Sequence, residues 1–153
     1  MTRIAVDCEF NGFGGQLISM ALVSEDGREW YAELPEPKAW DMWCYEHVRP
    51  VLKFTPSGRY GFRSSFFDFL DQFEEIVIVA DWYTDLVHFF ETFGGKNHGE
   101  SFHIPLKAEL LPDMKFLPSA VPHNALEDAR AIMATLKASP AIETPQTATE
   151  ATE

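Results

Sequence analysis

The stretch Ile4-Ala5-Val6-Asp7-Cys8-Glu9-Phe10 decides how the rest of the chain is read. As a β-strand it alternates two faces, with Ile4, Val6, Cys8 and Phe10 on one and Ala5, Asp7 and Glu9 on the other. Two carboxylates on one face sit about 7 Å apart at the strand rise. Burying acids at the end of an apolar strand costs free energy unless a partner compensates them. A divalent cation does so, because hard cations take carboxylate oxygens. A strand that runs out into a solvated acidic loop would carry the same residues, so this stretch alone leaves both readings open.

Outward from it, Asn11-Gly12-Phe13-Gly14-Gly15 is a turn by its glycines, and Leu17–Ser24 is a mostly apolar strand. Glu25-Asp26-Gly27 is a tight turn, and Arg28–Leu34 alternates as a third strand, giving an antiparallel meander. Pro35-Glu36-Pro37 breaks the pattern. Ala39–Val48 is helical by the spacing of Trp40, Trp43, Cys44 and His47. The loop from Pro50 to Gly61 carries Lys53 and Arg59, with Arg63 just beyond, all read as ordinary surface charges. Ser64 or Ser65 opens a second helix with Phe66, Phe69, Leu70 and Phe73 on one side.

Ile76-Val77-Ile78-Val79-Ala80 is the continuous apolar run of a strand buried on both faces. Asp81-Trp82-Tyr83-Thr84-Asp85 leads from it into a helix carrying Leu86, Phe89, Phe90 and Phe93, which Gly94-Gly95 stops. Lys96–Pro122 is irregular, with a short helix expected around Leu106–Leu111. Asn124 and Glu127 form a capping box for a last helix bearing Ala125, Leu126, Ala129, Ile132, Met133 and Leu136. The expectation is one α/β domain over residues 1–138, a mixed sheet of meander plus parallel strand flanked by helices. Residues 139–153, rich in Thr, Ala, Pro and Glu, are expected to be a disordered tail.

With 153 residues, 46% of them hydrophobic, the chain can bury a substantial single core. No apolar run reaches membrane-spanning length and no signal pattern opens the chain, so no membrane partner and a cytoplasmic location are the default expectations. Cys8 and Cys44 form neither a disulfide framework nor a metal-ligand spacing, and Cys8 reads as a small core residue. A net charge of -12 argues against a large duplex-binding surface. It is compatible with a nucleic-acid end held through cations bound by the carboxylates themselves.

Ligand sites in open α/β sheets collect at the carboxyl ends of strands. Asp7 and Glu9 lie near the end of the first strand, and Asp81 and Asp85 just past the buried one. Asp128 falls in the first turn or so of the last helix, on the side of Ala125 and Ile132. Each acid is ordinary alone, since helix dipoles favour early acids. Their convergence would not be ordinary. His123, in the loop five residues before Asp128, is a surface imidazole by itself; beside a metal–carboxylate cluster it suits deprotonation of water near neutral pH. Phe10, Trp82 and Tyr83 adjoin the acids and suit stacking on terminal bases.

Together, Asp7-Cys8-Glu9-Phe10, an acid at a strand–helix junction, and His123-x-x-x-x-Asp128 resemble the three motifs of the DEDDh 3′–5′ exonucleases, which have an RNase H-like fold. The resemblance spans about residues 4–137. Within that family the chain is similar to small bacterial exoribonucleases of the RNase AS type, which attack adenylate-rich RNA ends, through Leu17–Val23 and Glu25–Ala32. It is more distantly similar to RNase T and oligoribonuclease. The second motif departs from the family pattern, which usually begins with His-Asn or a similar pair. Here Asp81 stands where Asn is common and Asp85 where the catalytic Asp stands. The residues alone leave the two as alternatives; the resemblance favours Asp85 as the metal ligand and leaves Asp81 as a candidate on the substrate side, with Phe10, Trp82 and Tyr83.

The resemblance implies two-metal phosphodiester hydrolysis. Asp7, Glu9, Asp85 and Asp128 would hold two Mg²⁺ or Mn²⁺, His123 would be the base, and nucleoside 5′-monophosphates would leave a single-stranded RNA 3′ end. It also implies a homodimer, for which the Trp40–His47 segment offers a surface. Two other functions fit the same fold: a 3′–5′ exodeoxyribonuclease of proofreading or repair type, and a non-catalytic adaptor that keeps its acids for structure.

Overall fold

The computed structural model describes residues 1–94 and 104–139. Five strands form one mixed sheet: β1 Thr2–Phe10, β2 Leu17–Ser24, β3 Glu29–Glu33, β4 Ile76–Ala80 and β5 Leu106–Leu110. Their spatial order is β3-β2-β1-β4-β5. The meander β1–β2–β3 is antiparallel, while β4 adds to β1 and β5 to β4 in parallel. Four helices flank the sheet: α1 Met42–His47, α2 Arg59–Leu70, α3 Tyr83–Gly94 and α4 Ala125–Ala138. Among the described residues, no helix is long and apolar enough to cross a membrane. The tail expected from residue 139 falls, beyond Ser139, outside the described residues.

The two faces of β1 bury into two different layers. Ile4, Val6 and Cys8 join Met20, Leu22, Ile76 and Ile78 under the phenylalanines of α2 and Phe89 of α3. Phe66 and Phe89 are fully buried there. Burial of each such side chain stabilises the fold by about 1.5–3 kcal/mol. On the opposite face Ala5, Ala21, Val77 and Val79 pack against Ala125, Ala129, Ile132 and Met133 of α4. The alanines on both sides of this contact are fully buried, and their small side chains let the helix lie close to the sheet. That approach carries Asp128 toward the carboxylates that follow Ala5 on the same face of β1.

The turn from β1 to β2 needs its glycines. Gly12 has φ +74°, and a Cβ at Gly15 would lie 1.8 Å from the Asn11 carbonyl oxygen.

Three expectations are corrected. The segment expected as a short helix around Leu106–Leu111 is the edge strand β5, paired residue for residue with β4 from Ile76↔Leu106 to Ala80↔Leu110. Leu, Lys, Ala and Glu all favour helices, but five such residues cannot stabilise an isolated helix, and pairing with β4 satisfies the backbone. Helix α1 is shorter than Ala39–Val48 because Asp41 caps it, its carboxylate accepting the N–H groups of Trp43 and Cys44. Helix α2 starts at Arg59, well before Ser64, so that Phe62 joins the buried row. Ser65, expected as its cap, instead accepts the Trp30 indole N–H at 3.1 Å from within the helix.

Candidate metal centre

Strand β1 runs on past β4: their pairing reaches only Ala5↔Val79, and β4 ends at Ala80. The chain beyond β4 turns through Asp81 and Trp82 into α3, whose first turn carries Asp85. The Asp85 carboxylate accepts the Cys8 backbone N–H at 3.2 Å, taking a donor that β4 no longer reaches. This locks the start of α3 onto the acidic strand and leaves Asp85 only 3% exposed.

From the other side, α4 is capped by Asn124, whose side-chain oxygen accepts the Glu127 N–H at 3.3 Å. The expected box closes only on this half, because Glu127 turns outward to pair with Arg130 at 2.6 Å. Asn124 also donates to the Val51 carbonyl at 2.8 Å, tying the helix start to the 3-10 turn Arg49–Val51 that follows α1. Asp128 accepts the His123 backbone N–H at 3.0 Å, and His123 stands in the left-handed region at φ 65°. A non-glycine residue there is held by its surroundings, and here the Asp128 carboxylate supplies part of that hold.

These elements bring the five acids into one cavity of about 540 Å³, lined by Asp7, Glu9, Asp81, Asp85 and Asp128 together with His123. Oxygens of Asp7, Glu9 and Asp128 lie within 4.8 Å of one another, and so do those of Asp7, Asp81 and Asp85. Asp7 belongs to both triads. Asp81 and Asp85, alternatives in the sequence, are therefore neighbours in the structure rather than rivals.

The electrostatics follow from this crowding. Burial, then the negative charges of Asp85, Glu9, Asp128 and Asp81, raise the Asp7 carboxyl well above the usual range. Burial, Asp128 and Asp85 push Glu9 up to about 8. Asp85 is likewise pushed to about 8, by burial and then Asp81, against the opposing Cys8 and Trp82 N–H groups. Asp81 and Asp128 are also raised, in each case chiefly by burial. The buried Asp7 Oδ2 has no hydrogen-bond partner among the described residues. Of the lining residues only His123 can carry positive charge. An orphaned carboxylate oxygen amid four other acids fits a divalent cation, whose hard oxygen-ligand preference matches an all-carboxylate donor set.

Phe10 and Trp82 line the cavity, Trp82 being half exposed. Tyr83 does not; its ring packs 5.4 Å from Trp82, outside the hollow. Trp82 lies in the turn before α3 and Tyr83 is the first residue of the helix, so the two side chains leave the chain in different directions.

Sequence reasoning missed Phe13, Asp41, Trp43 and Cys44, which also line the cavity. The segment expected to offer a dimer surface thus forms one wall of the site. Two signals were present: Asp41 at a helix N-cap position, and a lone aromatic, Phe13, amid the turn glycines. Compared with known proteins, the chain matches no family model and no curated protein.

Proposed function

We propose that the protein is a metal-dependent 3′–5′ exonuclease of the DEDDh type, with an RNase H-like fold and single-stranded RNA 3′ ends as substrate. The observation that carries the reading is the pair of carboxylate triads sharing Asp7 beside His123. The antiparallel meander continued by two parallel strands supports the fold assignment. Glu9 and Asp128 would hold one divalent cation with Asp7, and Asp81 and Asp85 the other with the same residue. Mg²⁺ or Mn²⁺ held there would supply Lewis-acid activation of water and countercharge for the departing 3′-oxygen.

The chain's own residues do the rest. His123 accepts the proton of the attacking water, its main chain fixed by Asp128. Phe10 and the half-exposed Trp82 offer apolar ring surface at the cavity wall for terminal bases. Lacking lysine or arginine at its lining, the cavity suits one strand end rather than a duplex.

The test is release of nucleoside 5′-monophosphates from labelled poly(A), mixed RNA and single-stranded DNA with Mg²⁺ or Mn²⁺. The expected result is metal-dependent, end-to-end shortening of RNA from its 3′ terminus. Faster shortening of DNA would assign the deoxyribonuclease, and no release from any substrate would assign the adaptor.

A further inference from the structure

His123 has its backbone anchored to Asp128, but that bond leaves the imidazole free to turn about its side-chain torsions. Among the described residues, neither ring nitrogen has a hydrogen-bond partner. What meets the ring is aromatic: Trp43 of α1 forms a T-shaped pair with it, centroids 4.8 Å apart and planes at 81°. Trp43 is in turn stacked on His47 at 4.6 Å with planes 13° apart, and His47 Nδ1 lies 2.9 Å from the Trp43 carbonyl oxygen. His47 and His123 are 6.4 Å apart.

The helix that carries Trp43 is fastened to the end of the acidic strand. Asn11, one residue beyond β1, donates to the Ala39 carbonyl at 2.8 Å and accepts the Asp41 N–H at 2.7 Å. The Cys44 thiol donates to the Phe10 carbonyl at 3.4 Å and accepts the Gly12 N–H at 3.2 Å. These bonds clamp α1 to the exit of β1, two residues past Glu9. A ring on a clamped helix holds a neighbour better than one on a loop.

We propose that Trp43 is the positioning residue of His123, an aromatic stop that keeps the imidazole in one rotamer facing the carboxylate triads. The proposal rests on the exonuclease reading for its catalytic consequence, and on the packing alone for the ring's orientation. Trp43 is 48% exposed, so its replacement leaves the core intact.

Two readouts test it. In the full chain without added metal, three-bond couplings of the His123 side chain should report one staggered rotamer in the wild type and averaging in Trp43→Ala. In steady-state turnover of an RNA oligomer, Trp43→Ala should lower kcat between about 10- and 100-fold with KM unchanged, and Trp43→Phe should restore most of the loss. Trp43→Leu, which fills space without an aromatic ring, should behave like Trp43→Ala and carries the comparison should the alanine variant misfold. A raised KM with unchanged kcat would make Trp43 a substrate contact and overturn the proposal, as would a single His123 rotamer in the alanine and leucine variants. If the wild type hydrolyses no oligonucleotide, the exonuclease reading fails while the rotamer result still decides the positioning role.

Discussion

Glu33 and Asp7 are both carboxylates on the central sheet, and they are buried in opposite ways. Glu33, 2% exposed, receives the Tyr31 hydroxyl at 2.5 Å and the Lys53 and Thr55 backbone N–H groups at 2.6 and 3.0 Å. Both its oxygens are satisfied, and the bonds tie the end of β3 to the loop before α2. Asp7 has one oxygen with no described partner and four acids around it. A buried acid with donors on both oxygens is a structural fastener. A buried acid among other acids is unstable by itself and implies something else in the site.

The sharpest way to break that contrast is Asp7→Asn. It removes the acid shared by both triads, so activity should drop below detection and Mn²⁺ binding, read by calorimetry, should be lost. The metal-free variant should nevertheless be more stable than wild type at pH 8, because the repulsion is relieved. A destabilised, metal-binding variant would place Asp7 with Glu33 as a structural acid. Next in size, His123→Ala should lower turnover by about 100-fold or more while leaving Mn²⁺ affinity within a few-fold. Equal turnover would remove His123 from the base role.

The pH dependence of stability reads the crowding of the acids around Asp7 without any assay of activity. Glu9 and Asp85 have folded values near 8, raised from ordinary carboxyl values. Acids raised in the folded state lend stability that is full below their unfolded values, near pH 4, and lost as pH rises toward 8. The melting midpoint of the metal-free protein should therefore fall between pH 5 and pH 8, by on the order of 5 °C. Saturating Mn²⁺ at pH 8 should reverse the fall, by about 2.7 kcal/mol at one hundred times its Kd. A flat profile would mean that the carboxylates are not forced together. The smallest effect is expected of Glu33→Gln, which should cost about 1–3 kcal/mol in denaturant unfolding with metal affinity unchanged.

Much of the fold was legible because strong local patterns coincide with burial. Ile76–Ala80, a run of apolar residues bounded by charge, is a fully buried strand. The phenylalanine row of α2 and the Asn124 cap of α4 also follow from spacing and side-chain chemistry. Strand β5 was not legible, since Leu106-Lys107-Ala108-Glu109-Leu110 has helix-forming letters and only its partner makes it a strand. The same holds at the site. Asp7, Glu9, Asp85, Asp128 and His123 were visible as candidates, whereas Trp43 looked like helix packing and Tyr83 like a cavity residue.

The sequence by itself determined which residues are acids, where most of the elements lie, and which face of each is apolar, because these depend on near neighbours along the chain. Only the tertiary structure decided that Asp81 and Asp85 share a triad with Asp7, that α1 walls the cavity, and that one buried acid is satisfied while another is not. Those outcomes depend on pairings between residues tens of positions apart, where a shift of a few ångströms decides whether a carboxylate meets an N–H or another carboxylate.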